Sequence, residues 1–365
     1  MNCLYEAMLP HVQRVSTAPI VEHIKIPSST LSLLARPPPL DPPVFVRQGG
    51  IVTSVCLRIC NVYRDVHFFI PKPEYLSKRR RGDIPLLIAC HGCTEHGLLF
   101  RASTTSYAYD ELACKEGFIV AYPDGYKGNW NDGRVKAIVP ATVENVDDVS
   151  FISHIIDHAQ LNLGTSPERT LMAGYANGGQ LILRLLYEEN APRIAGMGLH
   201  CASLPDESNN RVKANPSPKS RVPVVIVNGT ADPVALYEGG TNVVARLPNG
   251  SVLGDRGPHI GSIRTARHLA RSWAEEEEAD IQIVKKRRRR KSLQLTSQED
   301  KGRRVVEMRG ELSPIVVRDE WLVDGRPVVR LVSMVGEGHH VSVPGGSRMP
   351  AYLGPTLELV HSPQE

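Results

Sequence analysis

The sequence predicts an α/β fold: a doubly wound, mostly parallel sheet with helices on both faces. Four continuous apolar runs, at 84–90, 118–122, 222–227 and 328–335, read as strands covered on both sides, and stretches of helical period separate them. The residues able to do chemistry stand just after these runs, at the strands' carboxyl ends, where sheets of this kind gather their sites.

Residues 1–45 carry no sustained period, and Arg36-Pro37-Pro38-Pro39-Leu40-Asp41-Pro42-Pro43 excludes helix and central strand. A tail or an arm along a sheet edge is expected there, followed by one domain over 46–365. Ile51–Ile59 and Val66-His67-Phe68-Phe69-Ile70-Pro71 are β-branched and aromatic, and read as a pair of entry strands. Lys78-Arg79-Arg80-Arg81-Gly82-Asp83 reads as an exposed turn. The strand 84–90 stops at His91-Gly92-Cys93-Thr94, and a helix over 107–116 leads into a strand over 118–124. Val149, Ile152, Ile155 and Ile156 make a helical stripe behind Asp147 and Asp148, acids suited to a helix N-terminus. A short strand at 169–173 and a helix at 180–187 flank a glycine-rich turn. Apolar runs at 195–202 and 222–229 follow, then a helix over 261–279 with Ile263, Ala266, Leu269, Ala270 and Trp273 on one face. Lys285-Lys286-Arg287-Arg288-Arg289-Arg290-Lys291 opens an unpatterned polar stretch to about Arg304. Like charges cannot bury one another, so a disordered loop insertion is expected over about 285–304. The last strand, 328–335, ends at Gly336-Glu337-Gly338-His339-His340.

A chain of 365 residues, 41% of them hydrophobic, can bury a large core. No apolar run approaches the ~20 residues that span a bilayer, and the N-terminus lacks a basic-then-apolar signal; a cytoplasmic protein without a membrane partner is expected. Seven cysteines at irregular spacing argue against a disulfide framework. The net charge of +4 comes from local clusters and says little about partners.

Gly174-Tyr175-Ala176-Asn177-Gly178-Gly179, between strand and helix, has the layout of the G-x-S-x-G nucleophile elbow of α/β-hydrolases, a strained turn that lifts its middle side chain into the site. Here the middle residue is Ala176: the turn is kept and the hydroxyl is missing. Such a site needs a carboxylate after a later strand and a histidine last in the chain. Asp232, in Asn228-Gly229-Thr230-Ala231-Asp232-Pro233, can accept from an imidazole Nδ1–H. His339, on a glycine loop, can act as general base and acid, with His340 as the adjacent alternative. Backbone N–H groups of Asn177 and of Cys93 and Thr94 are the candidate oxyanion donors. His91, Tyr175 and Trp130 are candidate pocket residues, Trp130 suiting a core equally well. No metal is expected at these positions.

His91-Gly92-Cys93-Thr94-Glu95, 117–124 with Trp130-Asn131, Val146-Asp147-Asp148-Val149, 174–179, Gly229-Thr230-Ala231-Asp232-Pro233-Val234, and 336–339 with Pro344-Gly345-Gly346 occur in this order. Together they resemble the polyhydroxybutyrate depolymerase and feruloyl-esterase-like family of α/β-hydrolases, over roughly residues 50–350. The resemblance implies a serine esterase for short-chain, polyester or aromatic acid esters, with no cofactor, and with Ala176 in the nucleophile position, Asp232 as the acid and His339 as the base. Two departures stand out: the serine is replaced by Ala176, and the aromatic residue usual shortly after the histidine is absent from His340-Val341-Ser342-Val343. The expected protein is an ester hydrolase inactive or nearly so as written, or a pseudo-hydrolase that binds a small ligand or a protein through the same pocket.

Plainer readings compete at each position. An aspartate before proline commonly starts a turn. Cys90-His91-Gly92-Cys93 has no second cysteine pair to complete a zinc site. Nucleic-acid contact by 285–291 is the weaker reading beside a solvated loop, since no aromatic residues interleave the run.

Overall fold

The computed structural model describes residues 49–212, 221–242, 256–273 and 326–339, with strand segments at 245–246, 252–253, 282–286, 297–300, 303–306 and 315–323. All of them belong to one compact unit, Pro39–Glu365. The expected arm at 1–45 and His340 lie outside the described residues.

In chain order the principal strands are β1 (Gly50–Ile59), β2 (Val62–Pro71), β3 (Ile84–Cys90), β4 (Ile119–Pro123), β5 (Thr165–Tyr175), β6 (Gly196–His200), β7 (Val224–Gly229), β8 (Gln282–Lys286), β9 (Ile315–Val323) and β10 (Arg326–Val335). They form one sheet in the order β1-β2-β4-β3-β5-β6-β7-β10-β9-β8. From β4 to β10 every neighbour in that order is parallel. The entry hairpin β1–β2 and the far edge β9–β8 are antiparallel. This is the order of the α/β-hydrolase fold.

Every residue of β3, β4, β6 and β7 is buried, which is why these strands are continuous apolar runs in the sequence. Successive side chains of a strand point to opposite faces. Leu86, Ile88 and Cys90 therefore join one apolar layer, which holds side chains of α2 (Asp148–His158), α3 (Asn177–Leu185) and α4 (Ser262–Arg271). Leu87 and Ala89 join the other layer, with Tyr109, Leu112 and Ala113 of α1 (Ala108–Glu116). Of the paired acids, Asp147 caps α2, its Oδ1 accepting from Ser150 N–H at 2.9 Å, while Asp148 is fully buried.

Three expectations are corrected. α3 begins at Asn177 rather than 180, because Gly178 and Gly179 lie inside the helix instead of breaking it. α4 ends at Arg271, short of 279. The expected disordered insertion contains strand: Lys285 and Lys286 close β8, opposite Asp319 and Arg318 of β9, and Ser297–Asp300 pairs with Arg303–Val306. Backbone pairing to a neighbouring strand decides these segments, and an edge strand needs no apolar run to announce it. β9, between β10 and β8, is a further strand that the sequence analysis did not expect. The rest of 285–304 lies outside the described residues.

Candidate active site

β5 passes into α3 through Ala176, whose φ of 48° and ψ of −110° are rarely adopted by a residue with a side chain. Such backbone costs about 1–3 kcal/mol and persists only where its surroundings over-determine it. Here the Ala176 N–H donates to His200 O at 2.9 Å, and its carbonyl accepts from Gln180 N–H at 3.0 Å. Absent side chains let the chain close up. A Cβ on Gly178 would lie 2.4 Å from the Cys90 carbonyl oxygen, and one on Gly174 would lie 2.6 Å from the Gly178 backbone. The turn has the geometry of a nucleophile elbow and carries a methyl group.

Asp232 follows β7 and His339 follows β10, the adjacent parallel strand. The two loops are tied together: Ala231 N–H donates to Glu337 O at 3.0 Å, and Gly336 N–H to Thr230 Oγ1 at 2.9 Å. His339 Nδ1 lies 2.8 Å from Asp232 Oδ2, with the carboxylate fully buried and the imidazole 20% exposed. Asp232 Oδ1 accepts from Val234 and Ala235 N–H, both at 2.8 Å, so the aspartate starts its turn and orients the histidine with different oxygens. An ionised carboxylate only accepts, so Nδ1 carries the proton and Nε2 keeps the lone pair a base needs. Tyr175, partly buried, fills the space beside this pair: its hydroxyl donates to His339 O at 3.1 Å, and its ring lies 5.5 Å from the imidazole, centroid to centroid.

The oxyanion side is narrower than the sequence suggested. Thr94 N–H is committed to Gly128 O at 2.7 Å, and Gly92 N–H to Glu95 Oε2 at 3.0 Å. Thr94 is therefore corrected: its N–H is taken up, and among the described residues Cys93 N–H is the candidate donor that remains in this loop. Opposite it, Asn177 opens α3, where an N–H has no intrahelical acceptor.

His91 and Trp130 are corrected as well, since both are wholly buried and stand behind the site rather than lining it. His91 Nε2 accepts from Gly125 N–H at 2.8 Å, which leaves Nδ1–H to donate to Gly92 O at 2.6 Å. Burial holds this imidazole neutral and lowers its pKa to about 4. Trp130 Nε1 donates to His91 O at 2.9 Å, and Trp130 N–H to Asn177 Oδ1 at 2.8 Å. Asn177 Nδ2 donates in turn to Trp130 O at 3.1 Å and to Asp132 Oδ2 at 2.6 Å, which also receives the Arg134 guanidinium at 2.6 Å. The His91 and Asn177 segments are thus both fastened to one interior loop. Beneath it Arg64 pairs with Asp148 at 2.8 Å and covers the ring of Phe151 at 4.1 Å.

Sequence reading missed Arg64, Asp132, Arg134, Arg256 and Cys201. Arg256 reaches Cys93 Sγ at 3.6 Å. Cys201, buried at the end of β6 with φ of 51°, has its thiol near Asp232 and His339. The run Trp130-Asn131-Asp132-Gly133-Arg134, dense in polar groups outside any strand, was the one visible signal.

The strand order defines an α/β-hydrolase fold. Residues 189–269 match the Abhydrolase_4 family, described as TAP-like protein, a stretch that includes β6, β7, Asp232 and most of α4. A 177-residue portion is 25% identical to the bifunctional acetylxylan esterase/xylanase XynS20E of Neocallimastix patriciarum, covering 48% of this chain and 22% of that protein. The chain therefore matches about a fifth of that relative's length. An acetyl xylan esterase from Aspergillus awamori superimposes with a TM-score of 0.48 and 12% identity, over 85% of this chain and 99% of that one. A ferulic acid esterase gives 0.38 and 14%, over 50% and 80%.

Proposed function

We propose that this chain has the scaffold of a serine-type carboxylic ester hydrolase for short-chain, polyester or aromatic acid esters, with Ala176 in place of the nucleophile. The observation that carries the reading is the 2.8 Å pair of His339 Nδ1 and Asp232 Oδ2 beside a strained elbow that retains its backbone geometry. The partial match to an acetylxylan esterase/xylanase supports acetyl or other small acyl esters as the first substrates to try.

With serine at 176, His339 Nε2 takes the Oγ proton as Oγ attacks the ester carbonyl, and Asp232 stabilises the imidazolium that forms. The carbonyl oxygen gathers charge against the N–H groups of Cys93 and Asn177. Collapse expels the alcohol, protonated by His339; water then attacks the acyl-enzyme, giving up its proton to the same nitrogen, and the acid leaves with Oγ reprotonated. As the chain stands, no hydroxyl is present to attack, and removal of a triad nucleophile lowers kcat by roughly 10⁶. The elbow and its donors favour a second role for the unaltered chain, holding an ester or acid without turnover.

The test is Ala176→Ser assayed on p-nitrophenyl acetate and butyrate and on methyl ferulate. Hydrolysis well above the parent chain is expected. A folded serine variant inert towards all of these and a wider ester panel refutes the esterase reading, and retention of acid binding would then support the second role.

A further inference from the structure

We propose that Cys201, Asp232 and His339 form a binding site for a soft divalent cation of the zinc type. Each residue offers one ligand atom, and these atoms lie within 4.8 Å of one another. The three residues stand at the ends of β6, β7 and β10, so the set is carried on neighbouring parts of one sheet. Zinc bonds of about 2.0–2.3 Å in a tetrahedron bring ligand atoms about 3–4 Å apart. Closing from 4.8 Å is a small movement for His339, on its glycine loop.

The donors are suited to the role before any metal arrives. Asp232 Oδ1 is occupied by two backbone N–H groups, which leaves Oδ2 directed at His339. The Cys201 backbone is held by its N–H bond to Val227 O at 3.1 Å, and its sulfur lies within 4.8 Å of the Asp232 and His339 ligand atoms. One sulfur, one imidazole nitrogen and one carboxylate oxygen match zinc or cobalt, whereas magnesium and calcium take oxygen sets with more ligands. Three protein ligands leave a fourth position for water. Entry of the cation releases the thiol proton to solvent and takes the place of the hydrogen bond between Asp232 and His339. Cation binding and general-base chemistry at this dyad therefore exclude each other, and binding strengthens as pH rises. The inference does not depend on ester hydrolysis.

The test uses the full chain with Ala176 in place, kept reduced and titrated with Co²⁺. One equivalent should produce the thiolate-to-cobalt charge-transfer band and the visible bands of a tetrahedral ion, and Zn²⁺, but not Mg²⁺, should abolish them. Cys201→Ser should remove the charge-transfer band. His339→Gln, a change on a partly exposed loop that leaves the core intact, should weaken Zn²⁺ binding at least about tenfold, the loss that follows even from removing outer-shell partners. A band that survives in folded Cys201→Ser, the absence of any band in the parent, or unchanged affinity in His339→Gln overturns the proposal. If Cys201→Ser does not fold, the His339→Gln affinity decides.

Discussion

Asn177→Ala should destabilise the fold far more than an alanine at the first turn of a helix normally does. The side chain is buried and makes three hydrogen bonds: Oδ1 accepts from Trp130 N–H at 2.8 Å, and Nδ2 donates to Trp130 O at 3.1 Å and to Asp132 Oδ2 at 2.6 Å. A neutral hydrogen bond contributes about 1 kcal/mol and one to a charged group about 1.5–3 kcal/mol, so the three together come to about 3.5–5 kcal/mol. Alanine has the better helix propensity, which offsets only about 0.5 kcal/mol. Against a domain stability of about 5–15 kcal/mol the variant stays folded at a much lower urea midpoint, with an unchanged slope. Equilibrium urea unfolding followed by tryptophan fluorescence reads this directly, since Trp130 sits in the network. A loss below about 1 kcal/mol would refute the claim that Asn177 fastens the elbow to the loop at 130–134.

Other perturbations separate the remaining elements of the argument. Arg64→Met leaves Asp148 buried without its guanidinium and should cost about 3–5 kcal/mol, again by urea unfolding. Gly178→Ala forces a methyl against the Cys90 carbonyl and should cost about 3 kcal/mol, the top of the overpacking range, or prevent folding; a neutral result in a thermal melt would show that the elbow can relax. Burial lowers the His91 pKa to about 4 in the fold, opposed by the hydrogen bond to Gly92 O and by Asp124 and aided by His96 and Arg64, against an ordinary value near 6.5 when unfolded. The unfolded chain then binds more protons between these limits, so this contribution to stability is complete above about pH 6.5 and is lost as pH falls towards 4. Stability measured across that window should be flatter in His91→Gln by up to about 1.4 kcal/mol per pH unit; parallel profiles would contradict the neutral, buried imidazole. In the Ala176→Ser background, His339→Ala should lower kcat by about 10⁴–10⁶-fold and Asp232→Asn by about 10⁴-fold, with His340→Ala under tenfold. A larger loss from His340→Ala would move the base by one residue.

Much of the fold was legible because buried parallel strands must be apolar along their whole length, so 84–90, 118–122 and 222–229 stand out without any knowledge of their neighbours. The placement of 174–179, Asp232 and His339 after strands was legible for a related reason: polar groups gather where buried strands end. Ala176 was legible as the middle residue of a glycine-flanked turn, and the structure gives it a φ of 48°. What the sequence could not determine is which groups those stations find in space. Whether His91 lines a pocket or stands behind it depends on Gly125 N–H and Trp130 Nε1, contributed by segments 34 and 39 residues away. Thr94 and Cys93 are adjacent and equivalent in sequence, and only the Gly128 carbonyl takes one of them out of the site. β8 closes the far edge of the sheet because β9, itself paired to β10 on its other side, offers it a row of backbone groups, a property of the partner rather than of its own residues. Cys201 meets Asp232 and His339 only because β6, β7 and β10 are neighbours in the sheet, although 138 residues separate the first of the three from the last.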